Sequence, residues 1–153
     1  MAGIFSAIEA LLAKHHQKVR SRQFLEAAMG ASAMLALADG EISFAELMAR
    51  DYVLDHVKQL QVFDPNEAAD LFSTYAETIS NNPKIGKDIV LEAITQLSED
   101  KELASLVLRI CLVIAKADRN FSQPEREVIN TFCDVLGLEK KEIVRQPEVE
   151  SLA

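Results

Sequence analysis

Hydrophobic side chains recur at intervals of three and four residues along most of the chain, a spacing that gathers them on one face of an α-helix. Glycine and proline are scarce, at five and four residues, whereas sheet-rich folds need them at frequent turns. Capping residues interrupt the pattern and predict helix starts near Ser43, Asp64, Asp100 and Ser122, and Asn81-Asn82-Pro83 breaks it near the middle. The sequence therefore predicts an all-α fold, a single-domain bundle of about seven to eight helices.

Two of the predicted helices differ in how much of their surface is apolar. Residues 103–117 are apolar on nearly every side, which indicates a central place in the bundle. The helix that follows Asn82 has a narrower apolar line, made of Ile85, Ile89, Val90, Ala93, Ile94 and Leu97. A short helix is expected at about residues 139–144, after Gly137 has ended the preceding one.

The chain divides into three sections. Residues 1–22 combine an amphipathic helix with a basic end, residues 23–145 form the helical domain, and residues 146–153 form a tail. The apolar residues of the first section are Ile4, Phe5, Ile8, Leu11 and Leu12, and the basic ones are Lys14, Lys18, Arg20 and Arg22. Such a segment can lie on an anionic membrane or dock a partner. The favoured interpretation is a helix packed on the domain with its basic end in solvent.

One acidic stretch occurs twice, each time after a long apolar run and before another helical pattern. The first copy spans residues 38–46, Ala-Asp-Gly-Glu-Ile-Ser-Phe-Ala-Glu, and the second spans residues 117–125, Ala-Asp-Arg-Asn-Phe-Ser-Gln-Pro-Glu. The separation is constant, because each residue of the second copy follows its counterpart by 79 positions. The repetition predicts two helix–acidic turn–helix units, in pseudo-repeat halves at about 23–81 and 84–138.

Helix capping explains part of each copy. The Ser-x-x-Glu pattern at 43–46 and 122–125 is a capping box, in which serine and glutamate satisfy each other's backbone N–H. Gly40 suits the left-handed residue that commonly follows a helix. Capping does not explain Asp39 and Asp118, since an acid near a helix C-terminus faces the negative end of the helix dipole. An unfavourable acid at the same register in both copies indicates another role.

An ordinary EF-hand is excluded as that role. When Asp39 is aligned with the fifth position of an EF-hand loop, the first and third positions fall on Leu35 and Leu37. In the second copy they fall on Ile114 and Lys116. An EF-hand needs oxygen ligands at these positions, so neither copy is one.

The pattern Ala-Asp-Gly-x-Ile-Ser-x-x-Glu, followed by Ala-x-Ala-Asp-x-x-Phe-Ser-x-x-Glu, resembles the TerB family of tellurite-resistance proteins. The resemblance extends from Phe24 to Leu138 and implies an all-helical fold with a divalent-cation site. The residues to which it assigns that site are Asp39, Glu41, Glu46, Asp118 and Glu125. Arg119 stands where the family often has glycine, and Asn120 stands opposite Glu41, so the second half-site is expected to be weaker.

Charge and cysteine content narrow the functional classes. The formal net charge of −8 argues against nucleic acid as a partner, because nucleic-acid proteins need a basic face. Cys111 and Cys133 both lie in apolar helical patterns, which predicts buried free thiols rather than a disulfide. No Cys-x-x-Cys motif occurs, so a redox role is disfavoured.

Three functions remain open. The resemblance implies a non-catalytic stress-response protein that binds calcium, magnesium or manganese and docks protein partners of a tellurite-resistance system, including membrane-associated ones. The second possibility is a structural interaction module whose turns are caps and bind no metal. The third and least favoured is a metal-dependent hydrolase, with Asp39 and Asp118 holding the ion and Glu125 as the base.

The expected location is the cytoplasm or the periphery of the inner membrane. The N-terminus lacks the basic start and small-residue cleavage site of a signal peptide. No apolar run reaches the roughly 18 residues that a transmembrane helix needs, so no transmembrane segment is expected.

Overall fold

The computed structural model describes residues 10, 13, 14, 21–40, 42–59, 64–115 and 122–141. Within these residues all regular structure is helical, which confirms the all-α prediction. The six helices of this part of the chain are α1 (Arg22–Ala36), α2 (Phe44–Gln59), α3 (Pro65–Asn81), α4 (Pro83–Thr95), α5 (Lys101–Ala115) and α6 (Gln123–Leu136). The predicted N-terminal amphipathic helix, most of the short helix near 139–144, and the C-terminal tail lie outside the described residues.

Side-chain caps set the helix starts as the sequence predicts. The Asp64 carboxylate accepts from the Asn66 N–H at 2.8 Å, and Pro65 occupies the first turn, where no N–H is needed. At Ser21, which was not among the predicted caps, the side chain accepts from the Phe24 N–H at 3.0 Å and starts α1. These caps satisfy donors that have no partner inside the helix, so they fix where each helix begins.

Two helices form the centre of the bundle. Helix α1 packs against α3, α4, α5 and α6, and α5 packs against α1, α2 and α6. The side chains of α5 are buried over almost its whole length, which confirms the central place predicted from its apolar surface. Burial of these side chains is the main source of the stability of the fold.

Helices α1 and α5 share one pattern of burial. Each has 15 residues, and α5 begins 79 positions after α1. The buried positions are Phe24, Leu25 and residues 27–36 in α1, and Leu103, Ala104 and residues 106–115 in α5. The two sets are related position by position through the same separation of 79 that relates the acidic turns.

The connection between α3 and α4 is a single residue. The Asn82 N–H donates to the Thr78 carbonyl at the end of α3, and the Asn82 side chain accepts from the Ile85 N–H at the start of α4. Gly86 follows at the closest approach of the two helices, where an added Cβ would lie 2.5 Å from Ile79 Cα. Glycine is therefore required there for the helices to pack.

The apolar line expected on α4 is only partly buried. Val90 and Ile94 are buried, but Ile85 is 52 % exposed and Ile89 is 42 % exposed. The inward face of α4 begins at Gly86. A hydrophobic pattern does not reveal this position, because glycine has no side chain. Ile85 lies about 100° round the helix from Gly86, and this rotation leaves the two isoleucines on the outer side.

Candidate functional site

The first acidic turn begins where α1 ends. The Leu37 N–H donates to the Ala33 carbonyl at 3.0 Å, and the Gly40 N–H donates to the Leu37 carbonyl at 2.9 Å. Gly40 has φ +101°, a conformation that favours glycine, as its place after a helix predicted. Asp39 is exposed at this turn, two positions beyond the end of the helical hydrogen bonding.

The capping box predicted at the start of α2 is present. The Ser43 N–H donates to Glu46 Oε1 at 3.0 Å, and the Glu46 N–H donates to Ser43 Oγ at 3.0 Å. The Glu46 residue is only 5 % exposed. A carboxylate seldom occupies so buried a position unless specific interactions hold it there.

The second capping box, at the start of α6, repeats this geometry. The Ser122 N–H and the Ser122 hydroxyl both donate to Glu125 Oε1 at 2.9 Å, and the Glu125 N–H donates back to Ser122 Oγ at 3.3 Å. Glu125 is 3 % exposed. Pro124 lies in the first turn, as predicted. Both glutamates of the predicted site are therefore buried and held by equivalent serines.

Three of the five predicted ligands can be placed. Asp39, Glu46 and Glu125 are described, whereas Glu41 and Asp118 lie outside the described residues. Within the described ranges no group of three or more His, Cys, Asp and Glu side chains is close enough to hold a metal ion. The five-residue site requires both missing acids, and it stays a prediction.

The chemistry of the described glutamates fits a hard cation. Each capping box uses Oε1, and Oε2 takes no part in it. Carboxylate oxygens are the ligands that calcium, magnesium and manganese prefer. Glu46 and Glu125 each cap a helix, and their carboxylates are of the ligand type that such cations prefer.

The helices that follow the two turns each contact a central helix distant in sequence. Helix α2 follows the turn that leaves α1, and it packs against α3 and α5. Helix α6 follows α5 in sequence, and it packs against α1 as well as α5. Each buried glutamate thus begins a helix that contacts the central helix preceding the other turn.

The two central helices meet at residues of equivalent register. Ser32 Oγ on α1 lies 3.6 Å from Cys111 Sγ on α5, and the two residues are 79 positions apart. Ser32 was not identified from the sequence as a notable residue. Its separation from Cys111 matches that of the repeated turns, and this match was the signal that could have identified it.

Both cysteines are buried free thiols, as predicted. Burial raises the pKa of the Cys111 thiol to about 12, and this effect outweighs the lowering by the hydrogen bond with Ser32. Burial also raises the pKa of Cys133, more than the positive charge of Lys140 lowers it. Neither thiol is a ready nucleophile at neutral pH, because the thiolate is the reactive form.

The geometry defines an all-helical protein with a pair of capped helix starts, each bearing a buried glutamate. The match to a family model extends over residues 25–147 and identifies the group: the family is described as Tellurite resistance protein TerB. The chain belongs to the TerB family. Comparisons with curated proteins and with solved structures gave no match.

None of the described helices combines the length and hydropathy that crossing a bilayer demands.

Proposed function

We propose that this TerB-family protein is a non-catalytic stress-response protein that binds a divalent cation at its acidic turns and docks protein partners. The observation that carries the proposal is the pair of buried glutamates, Glu46 and Glu125, at equivalent helix starts. Each follows, by seven positions, an aspartate (Asp39 or Asp118) that the sequence pattern predicts just after a helix, where an acid is unfavourable. A bound divalent cation would neutralise the negative charge of these acids.

We infer further that the two halves are a duplicated unit related by an approximate two-fold axis. Residues related by such an axis touch only near it, and Ser32 and Cys111 are in contact. The aspartate of each turn comes seven positions after that contact in the sequence. Related points lie at equal heights along the axis, so central helices that run in the same general direction would bring the two turns to one end of the bundle, and we propose this arrangement.

A cation at this end would link the two halves. Asp39, Glu41 and Asp118 would supply carboxylates from the turns, and Glu46 and Glu125 would supply them from the helix starts. Several carboxylates close together repel one another, and a divalent ion relieves that repulsion. Binding would therefore stabilise the packing of α2 on α5 and of α6 on α1.

Calorimetric titration with calcium, magnesium and manganese tests the cation. We expect binding heat from at least one ion, and its loss in Asp39→Asn and in Asp118→Asn. Asp88→Asn is the matched control, because Asp88 is an exposed aspartate on α4 and lies outside both acidic stretches of the sequence. Retention of full affinity in both turn variants would refute the site.

Glutamine substitutions separate the cation role of the glutamates from their capping role. Glutamine also completes a capping box, so Glu46→Gln and Glu125→Gln keep the cap and remove the charge. Ser43→Ala does the opposite, since it removes the cap and keeps the carboxylate. The proposal expects weaker cation binding in the glutamine variants, whereas Ser43→Ala is expected to lower stability by about 1 kcal/mol.

A structural module without metal is the alternative, and the capping geometry favours it. Oε1 of both glutamates accepts from a serine N–H, so capping alone gives each side chain a role. Absence of binding heat with all three ions would support this alternative. Partner docking would then be the whole function.

The hydrolase alternative needs Glu125 as a base. Two hydrogen bonds from Ser122 go to Oε1, so the Glu125 carboxylate already has a structural role as part of a helix cap, which supports a non-catalytic role. Assays on phosphoester substrates with each of the three ions provide the test. Turnover that Glu125→Gln abolishes would replace the non-catalytic proposal.

We propose a cytoplasmic location with partners in a tellurite or related stress-response system, including membrane-associated proteins at the inner membrane. Support comes from family membership and from the acidic net charge, which suits cationic partners better than nucleic acid. Fractionation of cells that express the tagged protein, with and without tellurite, tests the location. Recovery in the periplasm would contradict it.

A further inference from the structure

Four large hydrophobic side chains are exposed in the described part of the protein, and they form two pairs. Phe44 is 77 % exposed and Met48 is 42 % exposed, both on α2; the other pair is Ile85 and Ile89 on α4. The members of each pair are four residues apart and therefore share one face of their helix.

On α2 the apolar pair continues into exposed acids. Asp51 and Asp55 are exposed, and the spacing of four, three and four residues keeps Phe44, Met48, Asp51 and Asp55 on one face. This face, the α2 stripe, is about 17 Å long. It has an apolar end next to the first acidic turn and an acidic end in the second half of the helix.

Contacts on the opposite side hold the stripe outward. Ala49 and Glu46 are buried on the inner face of α2. The Arg50 guanidinium lies 4.9 Å from the centroid of the Phe72 ring on α3 and pairs with Asp51 at 2.6 Å. Rotating the stripe inward would break the contact of Arg50 with Phe72 and expose the buried Ala49 and Glu46, so Phe44 and Met48 remain in solvent.

The charges around the two apolar pairs differ. Asp51 remains 64 % exposed despite its ion pair, and Asp39 is exposed in the turn before α2. Near Ile85 and Ile89, by contrast, α4 exposes both signs of charge, on Lys84, Lys87, Asp88 and Glu92. The α2 stripe is therefore complementary to a cationic ligand, and the α4 pair has no such preference.

We propose that the α2 stripe docks an amphipathic helix of a partner protein, with apolar residues over Phe44 and Met48 and lysine or arginine over Asp51 and Asp55. This deepens the docking part of the proposed function and is independent of the cation. Exposed aromatic side chains commonly anchor such contacts, while the small apolar area suits a transient interaction.

A second copy of the chain fits the stripe poorly. In a parallel pairing of two stripes the aspartates would face one another and repel. In an antiparallel pairing the aspartates would lie over Phe44 and Met48. An anionic membrane is disfavoured by the same negative charges.

A pair of designed peptides tests the proposal on the full-length protein. The probe is a fluorescein-labelled, alanine-rich helix with two leucines four positions apart and lysines placed to face Asp51 and Asp55. The comparison peptide has glutamates in place of the lysines. Fluorescence anisotropy should show binding of the lysine peptide, at least about tenfold tighter than the glutamate peptide.

Variants then locate the binding surface. The double change Phe44→Ala and Met48→Ala should weaken binding of the lysine peptide about tenfold. The matched change Ile85→Ala and Ile89→Ala, on the control pair, should leave the affinity within about twofold. The double change Asp51→Asn and Asp55→Asn should weaken binding of the lysine peptide at low salt and make its affinity less dependent on salt. All three are surface changes, and thermal melting checks that each variant is folded.

Three results would overturn the proposal. The first is equal affinity for the two peptides, and the second is equal loss of binding in the α2 and α4 variants. The third is a dimer, detected by sedimentation, that the Phe44 and Met48 changes dissociate, since the occupant would then be a second copy. The calorimetric cation titration is a separate measurement, so failure of either proposal is distinguishable from failure of the other.

Discussion

Helices α1 and α5 bury the same twelve positions, and at five of them α1 has a small residue where α5 has a larger one. Alanine or glycine occupies positions 27, 28, 30, 31, 33 and 36 of α1. Five of the six positions that follow these by 79 residues in α5 carry leucine, valine, isoleucine or arginine. An identical pattern of burial is thus compatible with two different ways of filling the interior.

The difference reflects what each helix contacts. Helix α1 touches four others, and small side chains let several helix axes approach it closely. Helix α5 fills the remaining space with branched side chains, so that small residues on one helix are matched by large ones on the other. Two helices of one core can therefore differ in side-chain volume while burying equivalent positions.

The largest expected effect comes from making α5 resemble α1. Leu106 is fully buried and stands 79 positions after Ala27. Leu106→Ala removes buried methyl groups and leaves a cavity, so we expect a loss of about 3 kcal/mol in the free energy of unfolding. Urea denaturation measures the loss, with the exposed Asn130→Ala as the control. A loss below about 1 kcal/mol would show that α5 is not tightly packed at this point.

The reverse change should cost somewhat less. Ala27 is fully buried on α1, and Ala27→Leu gives this helix the side chain that α5 has at the equivalent register. Overpacking a close helix contact is expected to lower the unfolding free energy by about 2 kcal/mol. The same denaturation experiment applies. Unchanged stability would mean that α1 uses small residues for a reason other than close packing.

The Ser32–Cys111 contact joins a side chain that does not titrate to one that does. A hydroxyl does not titrate in this range, whereas burial raises the pKa of Cys111 from 9.0 to about 12. The folded state holds the thiol proton more tightly than the unfolded state does. The stability that the buried thiol contributes is therefore complete below pH 9 and declines as the pH rises toward 12. The slope is expected to be roughly 1 kcal/mol per pH unit.

Denaturation of the wild type and Cys111→Ala between pH 8 and pH 11 isolates this effect, because other titrating groups are common to both proteins. The wild type should lose more stability than the variant above pH 9. Parallel pH profiles would contradict the burial of the thiol. Ser32→Ala should leave the difference between the two profiles in place.

The smallest expected effect concerns the turns. Gly40 has φ +101° with nothing within 4 Å of an added Cβ, so Gly40→Ala introduces backbone strain without a clash. The expected loss is about 1 kcal/mol in the free energy of unfolding. The second turn has Arg119 at the equivalent position, and Arg119→Ala provides the comparison. Equal losses in both turns would show that the glycine is not required by its conformation.

Much of the fold was predictable because its signals are local. The capping boxes at Ser43 and Ser122 depend on residues three positions apart, and both are present. The outward rotation of Ile85 was not predictable, because the closest contact of its helix is made by Gly86, a residue without a side chain. The sequence also indicated the acidic turns of the candidate site. It did not indicate the deep burial of Glu46 and Glu125, because that burial depends on helices distant in sequence.

The sequence by itself determined the helices, their caps and the separation of 79 positions, because hydrophobic periodicity and capping act within a few residues of the chain. Only the tertiary structure decided that α2 packs against α5, that α6 packs against α1, and that Ser32 meets Cys111. The physical reason is that helix packing depends on how side-chain volumes fit together across the core. Residues far apart in the chain make that fit, and no local pattern records it.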